Sequence, residues 1–297
     1  MSQPNTTTAT FSLLLAMVLW ASSFVALKIA FTGYHPMQVI FGRMLVATLC
    51  FLPFLPSFFR IKWRRQDLGY LFLMAIFEPC LYFIFEAKAL VNTSASQAGM
   101  ITAILPLLVA VTAWALLKER ISRLTLIGFF IAICGAMVLS LAAESTLSSP
   151  APLLGNLYEL AAMICATGYT ICLKHLSGRY SPLFLTAFQA FIGSIFFAFF
   201  LLPADVGLPG HWVTAPGFAV IYLGTFITLG AYGLYNFGVS RIPASQAAAF
   251  VNLIPVFSVI LGSIILTEHL NRCQWLAVAM VFSGVFLSRY AGKKLVN

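Results

Sequence analysis

Apolar residues form ten long runs along the chain, separated by short polar connections. The runs lie at about 10–31, 36–56, 69–89, 95–117, 123–142, 152–174, 182–202, 216–238, 244–267 and 273–290. Each run comes close to the roughly 20 residues that an α-helix needs to cross a hydrocarbon core of about 30 Å. The pattern therefore predicts ten transmembrane helices, with little of the chain outside the membrane.

The composition supports this interpretation. The hydrophobic fraction is 61% and the charged fraction 8%, whereas soluble domains have roughly 45–50% apolar and about 25% charged residues. Water solvates such a surface poorly, so a lipid bilayer must surround it. The sequence thus predicts an all-α polytopic membrane protein.

The basic residues set the orientation of the predicted helices. The formal net charge is +9, and Lys and Arg are enriched in the cytoplasmic loops of membrane proteins. With a cytoplasmic N-terminus, thirteen Lys and Arg residues lie on the inner side, and three lie on the outer side, namely Lys28, Lys88 and Arg272. We therefore expect both termini in the cytoplasm, and we interpret the positive charge as a topology signal and not as a nucleic-acid site.

The chain contains an internal repeat. A shift of 149 positions places residues 95–98 (Ala-Ser-Gln-Ala) on 244–247, Pro106 on Pro255, Glu119 on Glu268 and Gly135 on Gly284. Each half has five spans, an odd number, so the second half is expected to cross the membrane in the opposite sense. The halves, 1–145 and 146–297, then form one bundle of inverted repeats, the usual construction of secondary transporters.

The motifs of several other protein classes are missing. The six cysteines form no C-x-x-C pair, and the sequence contains neither H-E-x-x-H nor G-x-x-x-x-G-K. Asp67 and Asp205 both fall in predicted loops, so a membrane aspartyl dyad is not expected. The sequence therefore predicts no cofactor, no metal site and no enzymatic activity.

Short motifs recur in the two halves. The first half has Thr-Ser-Ala-Ser-Gln at 93–97, Leu-Pro at 105–106 and Leu-Leu-Lys-Glu-Arg at 116–120. The second half has Pro-Ala-Ser-Gln at 243–246, Ile-Pro at 254–255 and Leu-Thr-Glu-His-Leu at 266–270. The first two spans add Leu-Trp-Ala-Ser-Ser-Phe at 19–24 and Phe-Gly-Arg at 41–43. In these motifs the chain resembles the drug/metabolite transporter superfamily, specifically its EamA-type ten-helix exporters.

The resemblance covers nearly the whole chain and carries expectations about its fold. It implies two inverted five-helix repeats around a central cavity, lined mainly by helices one, three, four, six, eight and nine. Two positions depart from the family pattern. His269 replaces the usual Arg after the glutamate, and Ala-Thr-Gly at 166–168 stands where the family often repeats its Trp-containing motif. Both departures leave the substrate subgroup open.

Glu78 is the most informative single residue. It lies near the middle of the third span, where an ionised side chain is costly unless it faces a cavity or a partner. Pro79 is expected to kink the helix, while Tyr82 and Glu86 follow at four-residue steps on the same face. This stripe is interpreted as a cavity wall that binds an amine or takes up a proton. The alternative is a protonated glutamate that only bonds a neighbouring helix.

Five further charges map to the outer half of the membrane: Lys28, Arg43, Glu86, Lys88 and Glu159. Opposite charges at that depth are expected to pair, because unpaired ones are costly. They form either an extracellular gate or permanent structural bridges. Pro106 and Pro255 are candidate hinges at matched depth, whereas Glu119 and Glu268 are expected to cap helices or bridge loops.

The candidate substrate site combines carboxyl, amide, hydroxyl and aromatic side chains on the expected cavity helices. Small-molecule sites typically have apolar and aromatic walls with a few placed polar groups. The candidates are Trp20, Ser23, Glu78, Tyr82, Glu86, Gln97, Glu159, Tyr169, Tyr232, Tyr235, Asn236, Gln246 and Asn252.

The leading hypothesis is a secondary transporter that exports small metabolites, above all amino acids or related compounds. The resemblance implies the export direction. Energy would come from the substrate gradient alone or from proton exchange, with Glu78 the first candidate proton carrier and Glu86 and Glu159 next. One alternative is broad-specificity efflux of drugs or lipophilic cations, and a remote one is an intramembrane enzyme.

The expected partners are a small-molecule substrate, the lipid bilayer and, with proton coupling, protons. No nucleic acid is expected. The expected location is a bacterial inner membrane. Since one chain already contains both halves, either a monomer or a homodimer would suffice.

Overall fold

The fold consists of helices that match the ten predicted runs. The computed structural model describes residues 6–61, 64–117, 123–203 and 206–293, and across these ranges it contains ten long helical segments and no regular β-strand. The segments are α1 (Thr6–Phe31), α2 (Pro36–Phe58), α3 (Arg65–Asn92), α4 (Ala95–Leu116), α5 (Arg123–Leu141), α6 (Pro152–Leu176), α7 (Pro182–Leu201), α8 (Thr214–Arg241), α9 (Gln246–Ile265) and α10 (Arg272–Lys293).

Seven of these segments, α1–α4 and α7–α9, are long and apolar enough to cross a membrane, judged over the described part of the chain. The other three occupy the remaining predicted runs. α6 has 25 residues but carries Asn156, Glu159 and Lys174, which lower its hydropathy. Large apolar side chains such as Phe130 and Phe286 are exposed on the outside, where lipid would cover them.

The third helix is interrupted where Pro79 predicts a kink. The segment Ile76–Leu81 forms a π-type turn, and Glu78 has non-helical angles of φ −150° and ψ 116°. Pro79 has no N–H and cannot complete the helical ladder. The side-chain amide of Gln189, on α7, donates to the Glu78 carbonyl oxygen at 2.8 Å. A second π-type segment, Leu223–Ala231, interrupts α8, although that helix contains no proline there.

Matched irregularities also occur in α4 and α9. A 3₁₀ turn at Thr102–Ile104 lies just before Pro106, and another at Ala249–Leu253 lies just before Pro255. Mid-helix 3₁₀ stretches often mark hinges or local strain. The two prolines therefore lie beside real breaks in helical geometry, and their role as hinges stays a prediction.

The last helices of the two halves, α5 and α10, pack at very short distance. A Cβ on Gly135 would lie 2.8 Å from the backbone nitrogen of Val281, and one on Gly284 would lie 2.4 Å from the carbonyl oxygen of Gly128. Small residues let membrane helices approach closely enough to gain dispersion contacts. The repeat-equivalent glycines thus meet in one interface between the halves.

Asp67 lies elsewhere than predicted. Its expected loop is instead the first turn of α3, and its buried carboxylate accepts hydrogen bonds from Arg179 and Tyr180. Asp205, Glu119 and Lys118 fall outside the described residues.

Gly284→Ala is expected to destabilise the protein despite the higher helix propensity of alanine. The added methyl group meets backbone atoms that have no room to move, and overpacking of this kind typically costs about 1–3 kcal/mol. Thermal unfolding of the purified protein in detergent measures the effect. Gly69→Ala is the matched control, because Gly69 is exposed in α3 with nothing within 4 Å of its Cβ position. Equal melting temperatures for both variants would contradict the tight α5–α10 contact.

Candidate functional site

A central cavity of about 40 Å³ lies among α1, α3, α4, α6, α8 and α9, with Arg43 of α2 at its wall. These are the six helices that the resemblance implies. A cavity of this size holds a few water molecules, whereas ligand pockets commonly measure about 300–1,000 Å³. The helices would have to separate before a metabolite fits.

Eight of the thirteen candidate residues line this cavity. They come from four helices, α1, α3, α6 and α8, and contact with a substrate stays a prediction for each. They are Trp20, Ser23, Glu78, Tyr82, Glu86, Tyr169, Tyr232 and Tyr235.

Glu78 lies at the break in α3, with only 3% of its surface exposed. Its carboxyl Oε1 accepts a hydrogen bond from the Tyr232 hydroxyl of α8. The break turns the Glu78 backbone away from the helical ladder, and Gln189 satisfies the freed carbonyl. Glu78 therefore faces the cavity with one fixed neighbour from the second half of the chain.

Arg43 is the buried cation of the site, with 1% of its surface exposed. Its Nη1 lies 3.4 Å from Glu86 Oε2, and its Nε donates to Thr228 Oγ1 at 3.2 Å. The guanidinium also stacks over the Phe83 ring, 4.1 Å from the centroid. On the other side, the Tyr82 hydroxyl donates to Glu86 Oε1 at 3.1 Å. Both oxygens of Glu86 are thus engaged.

The cluster contains more carboxyl groups than cations. Glu78 and Glu86 line the cavity, and Glu159 lies near enough to Glu86 and Tyr82 to interact with them electrostatically. Arg43 is the one basic residue that lines this cavity. Buried charges without partners are costly. The site is therefore built to attract a cationic group or protons.

Aromatic rings form another part of the wall, next to Glu78. The Trp20 ring centroid lies 5.1 Å from that of Tyr232 and 4.8 Å from that of Tyr235. Tyr169 lies within 6.4 Å of both tyrosines. The Trp20 Nε1–H is buried and has no hydrogen-bond partner in the described structure. Ring faces of this kind attract organic cations, and the indole N–H is available to a ligand acceptor.

The other five candidates lie away from the cavity wall. Gln97 is buried in a network with Thr93 and Asn156. Asn236 accepts a hydrogen bond from Tyr169 and donates one to Thr186. Sequence periodicity selects a helix correctly but does not fix which of its faces meets the cavity. The five candidates that do not line this cavity are Gln97, Glu159, Asn236, Gln246 and Asn252, and their contact with a substrate stays a prediction.

Several residues were missed by the sequence reasoning. Gln189 and Thr228 hold Glu78 and Arg43 in place, and Thr102 and Thr170 line the cavity. A glutamine inside an apolar span is a signal that was available, because polar groups at membrane depth usually have a partner.

The predicted outer charges have mixed partners. The structure pairs Arg43 with Glu86, while Lys28 donates to the Ser148 carbonyl at 2.6 Å and Lys88 lies over the Tyr158 ring. Whether the Arg43–Glu86 pair is a gate or a permanent bridge stays open.

Glu268 caps a helix of the opposite half. It lies in the connection after α9, and its carboxylate accepts hydrogen bonds from Ala95 N at 2.8 Å, Ser96 N at 2.9 Å and Ser96 Oγ at 2.6 Å. The first turn of α4 has unsatisfied N–H groups and a positive dipole end. Glu268 therefore links the two halves at this end of the bundle, in agreement with its predicted capping role.

Comparison with known proteins identifies relatives along the whole chain. The EamA-like transporter family model matches residues 7–141 and again 153–290. YetK, an uncharacterized transporter of Bacillus subtilis, is 30% identical over 226 residues, which span 75% of this chain and 68% of YetK. An uncharacterized transporter of Archaeoglobus fulgidus is 28% identical over 279 residues, covering 93% of this chain and 96% of that protein.

Two further matches concern substrate and fold. A probable terminal-alkyne amino-acid exporter of Streptantibioticus cattleyicolor is 25% identical over 285 residues, covering 94% of this chain and 92% of that protein. A solved crystal structure superposes with a TM-score of 0.66 at 21% identity, over 98% of this chain and 99% of that chain. The second match shows the same fold.

Arg43→Met is expected to destabilise the protein by about 3–5 kcal/mol, because it leaves the Glu86 carboxylate buried without its cation. The double variant Arg43→Met/Glu86→Gln removes both charges and is expected to recover much of that loss. Thermal unfolding of the two single variants and the double variant gives the coupling energy. Purely additive effects would show that Arg43 and Glu86 do not stabilise each other.

Proposed function

The chain belongs to the EamA-like transporter family and is a membrane transporter, and on that premise we propose that it exports amino acids or closely related small metabolites by alternating access. The observation that carries the proposal is a single cavity lined by Glu78, by aromatic rings and by the Arg43–Glu86 pair. The probable amino-acid exporter among its relatives supports the same substrate class.

The cavity offers one group for each end of an amino acid. The carboxyl of Glu78 and the faces of Trp20 and Tyr235 suit an ammonium group. A substrate carboxylate suits the Arg43 guanidinium, where it would replace Glu86 as the partner. A zwitterion brings both charges at once, so its binding leaves the net charge of the buried cluster unchanged.

The transport cycle follows from the two repeats. Inverted repeats can exchange conformations, which opens a central site alternately to the two sides of the membrane. The small volume of the cavity supports a cycle in which a narrowed state separates two open ones. We propose both termini in the cytoplasm of a bacterial cell, and proton exchange as the energy source for export.

Lipophilic cations are the second candidate substrate class. The aromatic wall and the excess of carboxyl groups over basic ones favour them, since they carry no carboxylate that would need a cation such as Arg43. The two classes differ in one requirement, because an amino acid carries a carboxylate and a simple lipophilic cation does not.

Counterflow in proteoliposomes tests the proposal, with a panel of the twenty amino acids and tetraphenylphosphonium as radiolabelled probes. We expect exchange of at least one amino acid by the wild type, and a decrease of about tenfold or more in Glu78→Gln, a change that corresponds to about 1.4 kcal/mol of lost binding. Glu144→Gln is the matched control, because Glu144 is an exposed glutamate after α5.

The other outcomes separate the alternatives. Exchange of tetraphenylphosphonium alone would favour lipophilic-cation efflux. Exchange of an amino acid that Glu78→Gln leaves unchanged would keep the transport assignment and remove Glu78 from the substrate site. If Glu78→Gln kept exchange but lost net transport, Glu78 would carry the proton instead of the substrate.

A further inference from the structure

Glu159 is a buried acid that the substrate site does not use. It lies on α6 with no surface exposed, and it is absent from the residues that line the cavity. Neither of its carboxyl oxygens has a hydrogen-bond partner in the described structure. Glu78 and Glu86 differ from it, because Tyr232 bonds the first and Tyr82 and Arg43 bond the second.

Among the described residues, the basic side chains nearest in the cluster and on the neighbouring helix ends have other partners. Arg43 is engaged with Glu86 and Thr228. Lys28 donates to the Ser148 carbonyl, and the exposed Lys88 lies over the Tyr158 ring. An ionised carboxylate without any partner is the costliest polar group to bury. We therefore expect the group that neutralises the Glu159 carboxylate to come from outside the protein.

The surroundings of Glu159 limit which cation fits. On α3, Glu86 and Tyr82 interact electrostatically with Glu159, and Glu86 is paired in turn with Arg43 of α2. The residues of α4 include no Asp, Glu, Lys, Arg or His, and α5 adds only Arg123 at its first position and Cys134 within the span. α8 contributes Tyr232, which bonds Glu78, and Lys28 lies at the end of α1.

A proton fits this environment better than a metal ion. A metal cation needs several oxygen ligands. The two groups that interact electrostatically with Glu159, Glu86 and Tyr82, already form a hydrogen bond with each other. A proton needs only one oxygen of Glu159, where an O–H bond forms on binding and breaks on release. The proton comes from a hydronium ion, whose O–H bond breaks as the Glu159 O–H bond forms, and it returns to water on release.

Resting on the proposed export function, we propose that Glu159 binds the proton that is exchanged for substrate, while Glu78 holds the substrate itself. The two carboxyl groups communicate through Glu86, which lines the cavity and interacts electrostatically with Glu159. The ammonium group of the substrate adds positive charge at Glu78, and positive charge in this cluster favours the ionised form of Glu159 and the release of its proton. Proton and substrate thereby bind at separate carboxyls of one buried cluster.

The test uses two readouts on the full chain in proteoliposomes, with the probe that the wild type exchanges in counterflow. Exchange at equal pH reports substrate binding and the conformational cycle. The stimulation of uptake by an imposed pH gradient reports coupling. For Glu159→Gln we expect exchange within about threefold of the wild type, or about 0.65 kcal/mol, and complete loss of the stimulation. Glu144→Gln is expected to keep both.

Glu159→Met provides a second variant, because an apolar side chain of similar length fits a site without hydrogen-bond partners. Both variants are expected to keep the wild-type melting temperature, whereas a structural role for Glu159 would lower it. Proton release on addition of the probe to detergent-solubilised protein, followed with a pH-indicator dye, is expected for the wild type and absent for both variants.

Several results would overturn the proposal. If the pH gradient still stimulates uptake by Glu159→Gln, Glu159 does not carry the coupling proton. If Glu78→Gln keeps exchange and loses the stimulation, the coupling proton binds at Glu78 instead. Wild-type exchange that depends on sodium and not on pH assigns the coupling to another cation. Absence of any wild-type counterflow refutes the export function and this inference together. A failure of this inference alone leaves wild-type counterflow intact, so the two failures are distinguishable.

Discussion

The buried guanidinium of Arg43 is the interaction on which the rest of the site depends. It joins α2 to α3 through Glu86 and Phe83, and to α8 of the other half through Thr228. Its position sets the charge balance of the core, because it can neutralise one carboxylate while the cluster contains three, those of Glu78, Glu86 and Glu159. In the proposed function, substrate and proton supply the remaining partners of these acids.

This imbalance gives the arrangement its functional meaning. A protein selected only for stability would gain from apolar replacements of buried ion pairs. Here, in contrast, Glu78 is held at a helix break by Tyr232 and Gln189, and Glu86 has both oxygens bonded. Preorganised acids that surround a cavity of about 40 Å³ suit a transient cationic occupant better than a permanent structural role.

The sequence predicted the helices better than their faces. Ten runs, the kink at Pro79 and the six cavity helices followed from hydropathy, proline chemistry and the family resemblance. The faces were harder, because in a bilayer the lipid side and the packed side of a helix are both apolar. Asn236, for example, bonds Tyr169 and Thr186 instead of lining the cavity of this structure. The π-type segment of α8 had no proline to predict it.

Gln97 and Gln246 show why identical residues in the two repeats need not behave alike. Gln97 is buried beside Thr93 and Asn156, whereas Gln246 is exposed at the start of α9. At the Gln97 end, Glu268 accepts hydrogen bonds from the first turn of α4. Gly99 packs so closely against α9 that a Cβ on Gly99 would lie 2.0 Å from the Oγ of Ser258. The two repeats thus hold different conformations of one motif, which is the asymmetry that alternating access requires of an inverted pair.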